Sequence, residues 1–166
     1  MDRKNVWTAY NASQLAEVHE LAEKYKRCLN IGKTERECVK LTIQMAEAAG
    51  YRNMKDVLAE GTPLKAGDKV YAVCMEKMIA LFHMGEESIS AGMNILGAHI
   101  DSPRIDLKQV PLFEDTEMAM LDTHYYGGIK KYQWVTIPLA IYGVVCKKDG
   151  SIINVVIGED ANDPVV

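Results

Sequence analysis

The apolar spacing along this chain changes near Lys69, and that change limits the folds open to it. Before Lys69 hydrophobic residues recur every three or four positions; after it they come in short β-rich runs separated by polar turns. A chain divided in this way reads as α/β, with helices covering a mixed sheet. Ser13 is placed to cap a first helix through QLAEVHELAEKYKRCLNI, where Leu15, Val18, Leu21, Ala22 and Tyr25 form one stripe and Gly32 ends the run. Thr34 stands three residues before Glu37, the spacing of a capping box. The helix that follows carries Val39, Leu41, Ile43, Met45 and Ala46 and stops at Gly50. Neither helix buries enough surface alone, so both are expected to pack on something larger.

Past Lys69, KVYAVCME and KMIALFHMG, joined at Glu76-Lys77, read as a hairpin. EESISAGM is a polar connection, in which Glu86 and Glu87 are candidate ligands that read better as a solvated turn. NILGAHI, residues 94–100, is apolar without alternation and reads as a buried strand. After Asp106 the pieces RIDLKQVPLFED, EMAMLDTHYYGG and YQWVTIPLAIYGVVCKKDGSIINVVIGED are strand-length with little helical signal, and VVCKKDGSIINVVIG is a hairpin about a Lys-Lys-Asp-Gly turn. Two domains are expected, 1–106 and a β-rich 107–166, the latter ending at DANDPVV without a closing element.

Composition removes several function classes. A formal net charge of -4 disfavours a general nucleic-acid or anionic-membrane binder. No apolar stretch approaches the ~20 residues a bilayer requires. The first twenty residues lack the apolar core of a secretory signal, which makes the cytoplasm the default compartment. Cys28, Cys38, Cys74 and Cys146 are widely spread and form no CxxC pair, so they read as free thiols.

The chemistry gathers at GAHIDSP, residues 97–103. His99 follows the expected strand, at the kind of strand end where α/β proteins collect catalytic groups. A neutral imidazole is a good zinc ligand when its second nitrogen has an acceptor to fix the tautomer. In extended backbone, residues i and i+2 share a face, so Asp101 points where His99 points. Pro103 stiffens the exit of the loop. Spacing alone leaves two readings open: half of a metal site, or a strand end with one polar histidine. A catalytic zinc takes three protein ligands. His19, His83 and His124 read as surface or packing residues that do not complete it.

GAHIDSP resembles the Gly-Ala-His-x-Asp-Ser-Pro signature of the aspartyl aminopeptidase family of zinc metallo-aminopeptidases. The likeness continues through AEAAGYRNM upstream, YYGGIKKYQW at 125–134, PLAIYGVV and VVIGEDANDPVV, and so covers nearly the whole chain. Trp134 is followed by Val-Thr-Ile where many relatives have an Asp-Arg pair, as in a divergent bacterial-type branch. The resemblance implies a mixed-sheet metallopeptidase catalytic domain, of which residues 1–106 are the N-terminal part, followed by a truncated β-rich dimerisation domain. It implies a homo-oligomer acting on peptides: zinc-activated water releases the N-terminal residue, acidic in the best-known members. It makes His99 a zinc ligand and Asp101 the carboxylate that orients it, with two zinc ions, or other divalent metals, per complete site. The family's remaining ligands and general base come from later sequence, so this chain alone is expected to be an incomplete and inactive portion. A non-catalytic assembly fragment that binds full-length subunits is the rival, and a different metallohydrolase using the same His-x-Asp pair is a third reading.

Among other residues, Arg104 reads as an exposed loop arginine or a contact for an acidic side chain. Trp134 reads as a core or interface anchor, and Tyr125–Gly128 as either a substrate-lining loop or a simple turn.

Overall fold

The computed structural model describes residues 5–160 and 162, which divide into two compact units meeting between Ile100 and Asp101. MDRK, the first four of the twenty N-terminal residues read for a secretory signal, and DPVV of the final DANDPVV lie outside the described residues.

The first unit opens with a short 3-10 turn, Val6–Thr8, and then α1, Ala12–Ile31. The cap of α1 is Asn11, not Ser13. Asn11 Oδ1 accepts from Gln14 N at 3.0 Å while Gln14 Oε1 accepts from Asn11 N at 3.0 Å, a closed capping box. Ser13 is left inside the first turn, because Asn11 has the glutamine three residues on that Ser13 lacks. Gly32 does end the helix, its N–H returning to the Cys28 carbonyl at 2.8 Å. α2 is Glu35–Ala48, and the box expected at Thr34 is not made: the Thr34 hydroxyl donates to the Glu37 carboxylate, and neither side chain caps backbone. The chain then makes a two-residue strand β1, Arg52–Asn53, and a seven-residue helix α3, Met54–Glu60, capped by Asn53 and stopped by Gly61 at φ 68°. This helix is a finding the spacing did not supply, since seven residues are too few to display a period.

β2, Lys69–Cys74, pairs antiparallel with β3, Met78–His83, as the alternation predicts, and pairs parallel with β1 on its other side. Their turn puts Met75 and Glu76 at φ 50° and 57°, the mirror-image turn that suits a twisted hairpin. The core of the unit is compact: Val39 and Ala46 of α2, Val57 of α3, and Val70 and Tyr71 of β2. Each fully buried valine contributes about 1.5–3 kcal/mol by leaving water. The Tyr71 hydroxyl donates to Glu47 Oε1 at 2.7 Å, and Lys69 Nζ donates to the Ala49 carbonyl at 3.1 Å, tying β2 to α2 and the segment after it.

Residues 94–100 differ most from expectation. They form neither helix nor strand, and Ile95 and Leu96 are 80% and 100% exposed. The apolar run is that of a strand with neighbours on both sides, and among the described residues no strand pairs with it.

The second unit is built from two hairpins. β4, Arg104–Asp115, and β5, Met118–Tyr126, pair antiparallel, with Arg104 opposite Tyr126 and Asp106 opposite His124. The register slips between Leu107 and Leu112, and Pro111, which has no N–H to give a ladder, lies within the slip. A single helical turn α4, Lys131–Trp134, stands where only strands were expected. β6, Ile141–Cys146, and β7, Ile152–Ile157, make the final hairpin about Lys147–Ser151, as read from the sequence.

Candidate metal centre and its supporting hairpin

His99 and Asp101 fall on either side of the division between the two units: His99 is exposed and next to last in the first, while Asp101 is half-buried and first in the second. What holds Asp101 is visible in the second unit. Its Oδ2 accepts the Tyr126 hydroxyl at 2.9 Å. The Tyr126 ring in turn lies under Arg104, whose guanidinium carbon is 4.1 Å from the ring centroid. Arg104 is fixed from its other edge, with Nε donating to Asp106 Oδ1 at 2.7 Å and Nη1 to the Ser102 carbonyl at 3.4 Å.

The hairpin register accounts for this grouping. Directly opposed residues share a face, and so do residues two apart, so Arg104, Asp106 and Tyr126 stand together at the open end of β4 and β5. The loop that carries Asp101 leads straight into that end. Arg104 is therefore not the exposed loop residue expected, but a strand residue whose side chain is 22% exposed and paired. On the other face Lys131 Nζ sits 4.4 Å from the Tyr125 ring centroid.

The Gly127-Gly128 pair also acquires a role. Gly127 has φ 71°, and a Cβ there would stand 3.5 Å from Pro103 Cα and 3.6 Å from its Cβ and Cγ. The chain leaving β5 thus runs close along Pro103, in a conformation that favours glycine. Trp134 is half-buried in α4.

Of the remaining candidates, His19 on α1, His83 on β3 and His124 on β5 are exposed, and Glu86 and Glu87 sit in an exposed bend. All four cysteines are free thiols. Burial, reinforced by Glu37 and Glu35, pushes the Cys38 thiol up, which makes it a poor ligand near neutral pH. Among the described residues no three His, Cys, Asp or Glu side chains converge as a metal site. The donor set on this chain fits one imidazole ligand with a carboxylate beside it in sequence, and does not by itself fit a complete catalytic metal centre.

Residues 28–166 match the family model described as aminopeptidase I zinc metalloprotease (M18). The chain belongs to the M18 aminopeptidase family. This bears out the zinc aminopeptidase resemblance carried by GAHIDSP and the segments around it. A probable M18 family aminopeptidase 1 of Clostridium acetobutylicum is 60% identical over 162 residues, which are 98% of this chain and 35% of that protein. The crystal structure of aminopeptidase I from Borrelia burgdorferi superposes with a TM-score of 0.87 at 39% identity, over 98% of this chain and 39% of the other. A more distant M18-like fold, the yeast aminopeptidase solved as a dodecamer, has a TM-score of 0.69 at 20% identity over 87% of this chain and 34% of that one. The chain thus spans about 35% of the length of the curated M18 relatives it matches. Among the described residues no helix is long and apolar enough to cross a membrane.

Tyr126, read in the sequence only as part of a loop or turn, is the last residue of β5 and a partner of Asp101. Its partner lies 25 positions away, and the signal that would have found it is the strand register that sets Arg104 opposite it.

Proposed function

We propose that this chain supplies one zinc ligand, His99, and its orienting carboxylate, Asp101, to a metallo-aminopeptidase that removes N-terminal residues from peptides. The observation that carries this reading is the extent of the M18 match: it runs from residue 28 to 166 and so takes in both residues. A divalent metal, when bound, supplies Lewis acidity toward the scissile carbonyl. Asp101 holds the His99 imidazole in the tautomer and ring orientation that a metal accepts, a contribution of 10- to 100-fold in metal affinity where such pairs are broken. Two ions per complete site, an acidic preference at the substrate N-terminus and a cytoplasmic setting belong to the same reading.

The first compact unit belongs to the catalytic domain, and the unit that begins at Asp101 and takes in all of β4 to a β-rich domain through which subunits associate. The exposed apolar residues of β6 and β7, with Val145, Ile152, Ile153 and Val156 about half exposed, favour the second role. They equally favour a rival reading, an assembly element that binds other subunits without catalysis. On this reading residues 1–166 offer one ligand and its orienting carboxylate where a catalytic zinc takes three protein ligands, and alone they are expected to show no turnover.

The test uses the full product of the gene. Zinc content per subunit and hydrolysis of aminoacyl-nitroanilides are compared for the natural sequence and His99→Phe. Loss of at least one zinc equivalent together with turnover is expected. Full retention of both refutes the assignment, and robust hydrolysis by residues 1–166 with added zinc refutes the claim of incompleteness.

A further inference from the structure

The hydrogen bond from Tyr126 to Asp101 has a consequence for the carboxylate that the family match does not assign. A carboxylate in a loop turns about its terminal torsion, and one that must present a chosen oxygen to a neighbouring imidazole loses effectiveness with every alternative rotation. Here one oxygen, Oδ2, is claimed by a phenolic hydroxyl at 2.9 Å, a charge-assisted bond with a neutral donor. The donor is itself restrained. It is the last residue of β5, its ring is held beneath the Arg104 guanidinium at 4.1 Å, and that guanidinium is anchored by Asp106 at 2.7 Å. Gly127 then lets the chain turn away at φ 71° while staying within van der Waals distance of Pro103, two residues beyond Asp101.

We propose that Tyr126 is a positioning residue for the metal site, acting through Asp101, with Arg104 as the clamp that fixes the Tyr126 ring. The inference rests on the assignment of His99 as ligand and Asp101 as its orienting partner. It assigns the open end of the β4–β5 hairpin, which belongs to the β-rich unit, a task in the metal chemistry besides any part in subunit association. The Tyr126 hydroxyl touches neither substrate nor metal in this scheme; it restricts how the carboxylate can stand.

The experiment measures zinc affinity by chelator competition, and kcat and KM on an aminoacyl-nitroanilide, in the full gene product. Tyr126→Phe keeps the ring and its contact with Arg104 and removes only the donor. It is expected to weaken zinc binding by about tenfold and to lower kcat with KM little changed. A purely structural role would instead loosen the hairpin, so hydrogen exchange of the β4–β5 amides is expected to stay as in the natural protein. Asp101→Ala supplies the second test: in that background Tyr126→Phe has no further effect on zinc affinity, because the two act as one unit. Zinc affinity and kcat unchanged in Tyr126→Phe overturn the proposal, as does a full additional loss in the Asp101→Ala background. His99→Phe separates the levels. If it loses zinc while Tyr126→Phe does not, only the positioning role fails; if His99→Phe keeps zinc, the ligand assignment fails and this inference with it.

Discussion

Gly127→Ala tests whether the chain leaving β5 is held in a conformation that only glycine takes without strain. The native φ is 71°, within the left-handed region, where a side chain costs about 1–2 kcal/mol. Space does not add to that cost, because the three nearest heavy atoms, all of Pro103, would lie 3.5, 3.6 and 3.6 Å from the new Cβ, which is ordinary contact. At about 0.1–0.2 kcal/mol per atom pair, those contacts return roughly 0.5 kcal/mol. The expected net loss is therefore about 0.5–1.5 kcal/mol in the closed state of the hairpin end. Hydrogen exchange of amides near Arg104–Leu107 and Thr123–Tyr126 reads this directly, since local opening sets their rates. At tenfold per 1.4 kcal/mol, exchange there accelerates roughly 2- to 12-fold. Gly128→Ala is the control: its φ lies outside the left-handed region, no heavy atom stands within 4 Å of an added Cβ, and its exchange is expected to be unchanged or slower. Equal effects from the two substitutions, or none at Gly127, would refute the reasoning.

Two further outcomes concern the first unit. Val39, 1% exposed, loses about 1.5–3 kcal/mol on substitution by alanine, from lost burial and an incompletely closed cavity, whereas Leu58→Ala at 72% exposure changes the urea midpoint little; comparable losses would contradict the core as described. The hydrogen bond to Glu47, then burial, pushes the Tyr71 phenol up from its usual range. A group whose folded value is raised contributes stability that is present below its unfolded value, near 10, and is lost as pH rises through the folded value. The urea midpoint is thus expected to fall more steeply above about pH 10 in the natural chain than in Tyr71→Phe, and parallel slopes would show that the phenol has no such role.

What could be read in advance follows from where each signal resides. The β2–β3 and β6–β7 hairpins were legible because alternation and turn residues are local. The α1 cap was misplaced by two residues because serine and asparagine both cap well, and only the glutamine partner decides between them. Helix α3 was missed because its seven residues contain two turns at most. Residues 94–100 were expected as a strand because an apolar run reports the burial a segment is suited to, not the partners present to provide it. The M18 resemblance was legible in GAHIDSP, which lies close together in sequence. Tyr126 and Arg104 were not, since their relation to Asp101 and to one another is created by the pairing of β4 with β5.

The open stretch around Ile95 and Leu96 also bears on how long such a chain would last in a cell. An apolar backbone outside any ladder is what proteases and chaperones thread into their clefts, and it needs no prior unfolding to be taken. Among the described residues that stretch has no ladder partner, so limited proteolysis is expected to nick it before either flanking hairpin opens.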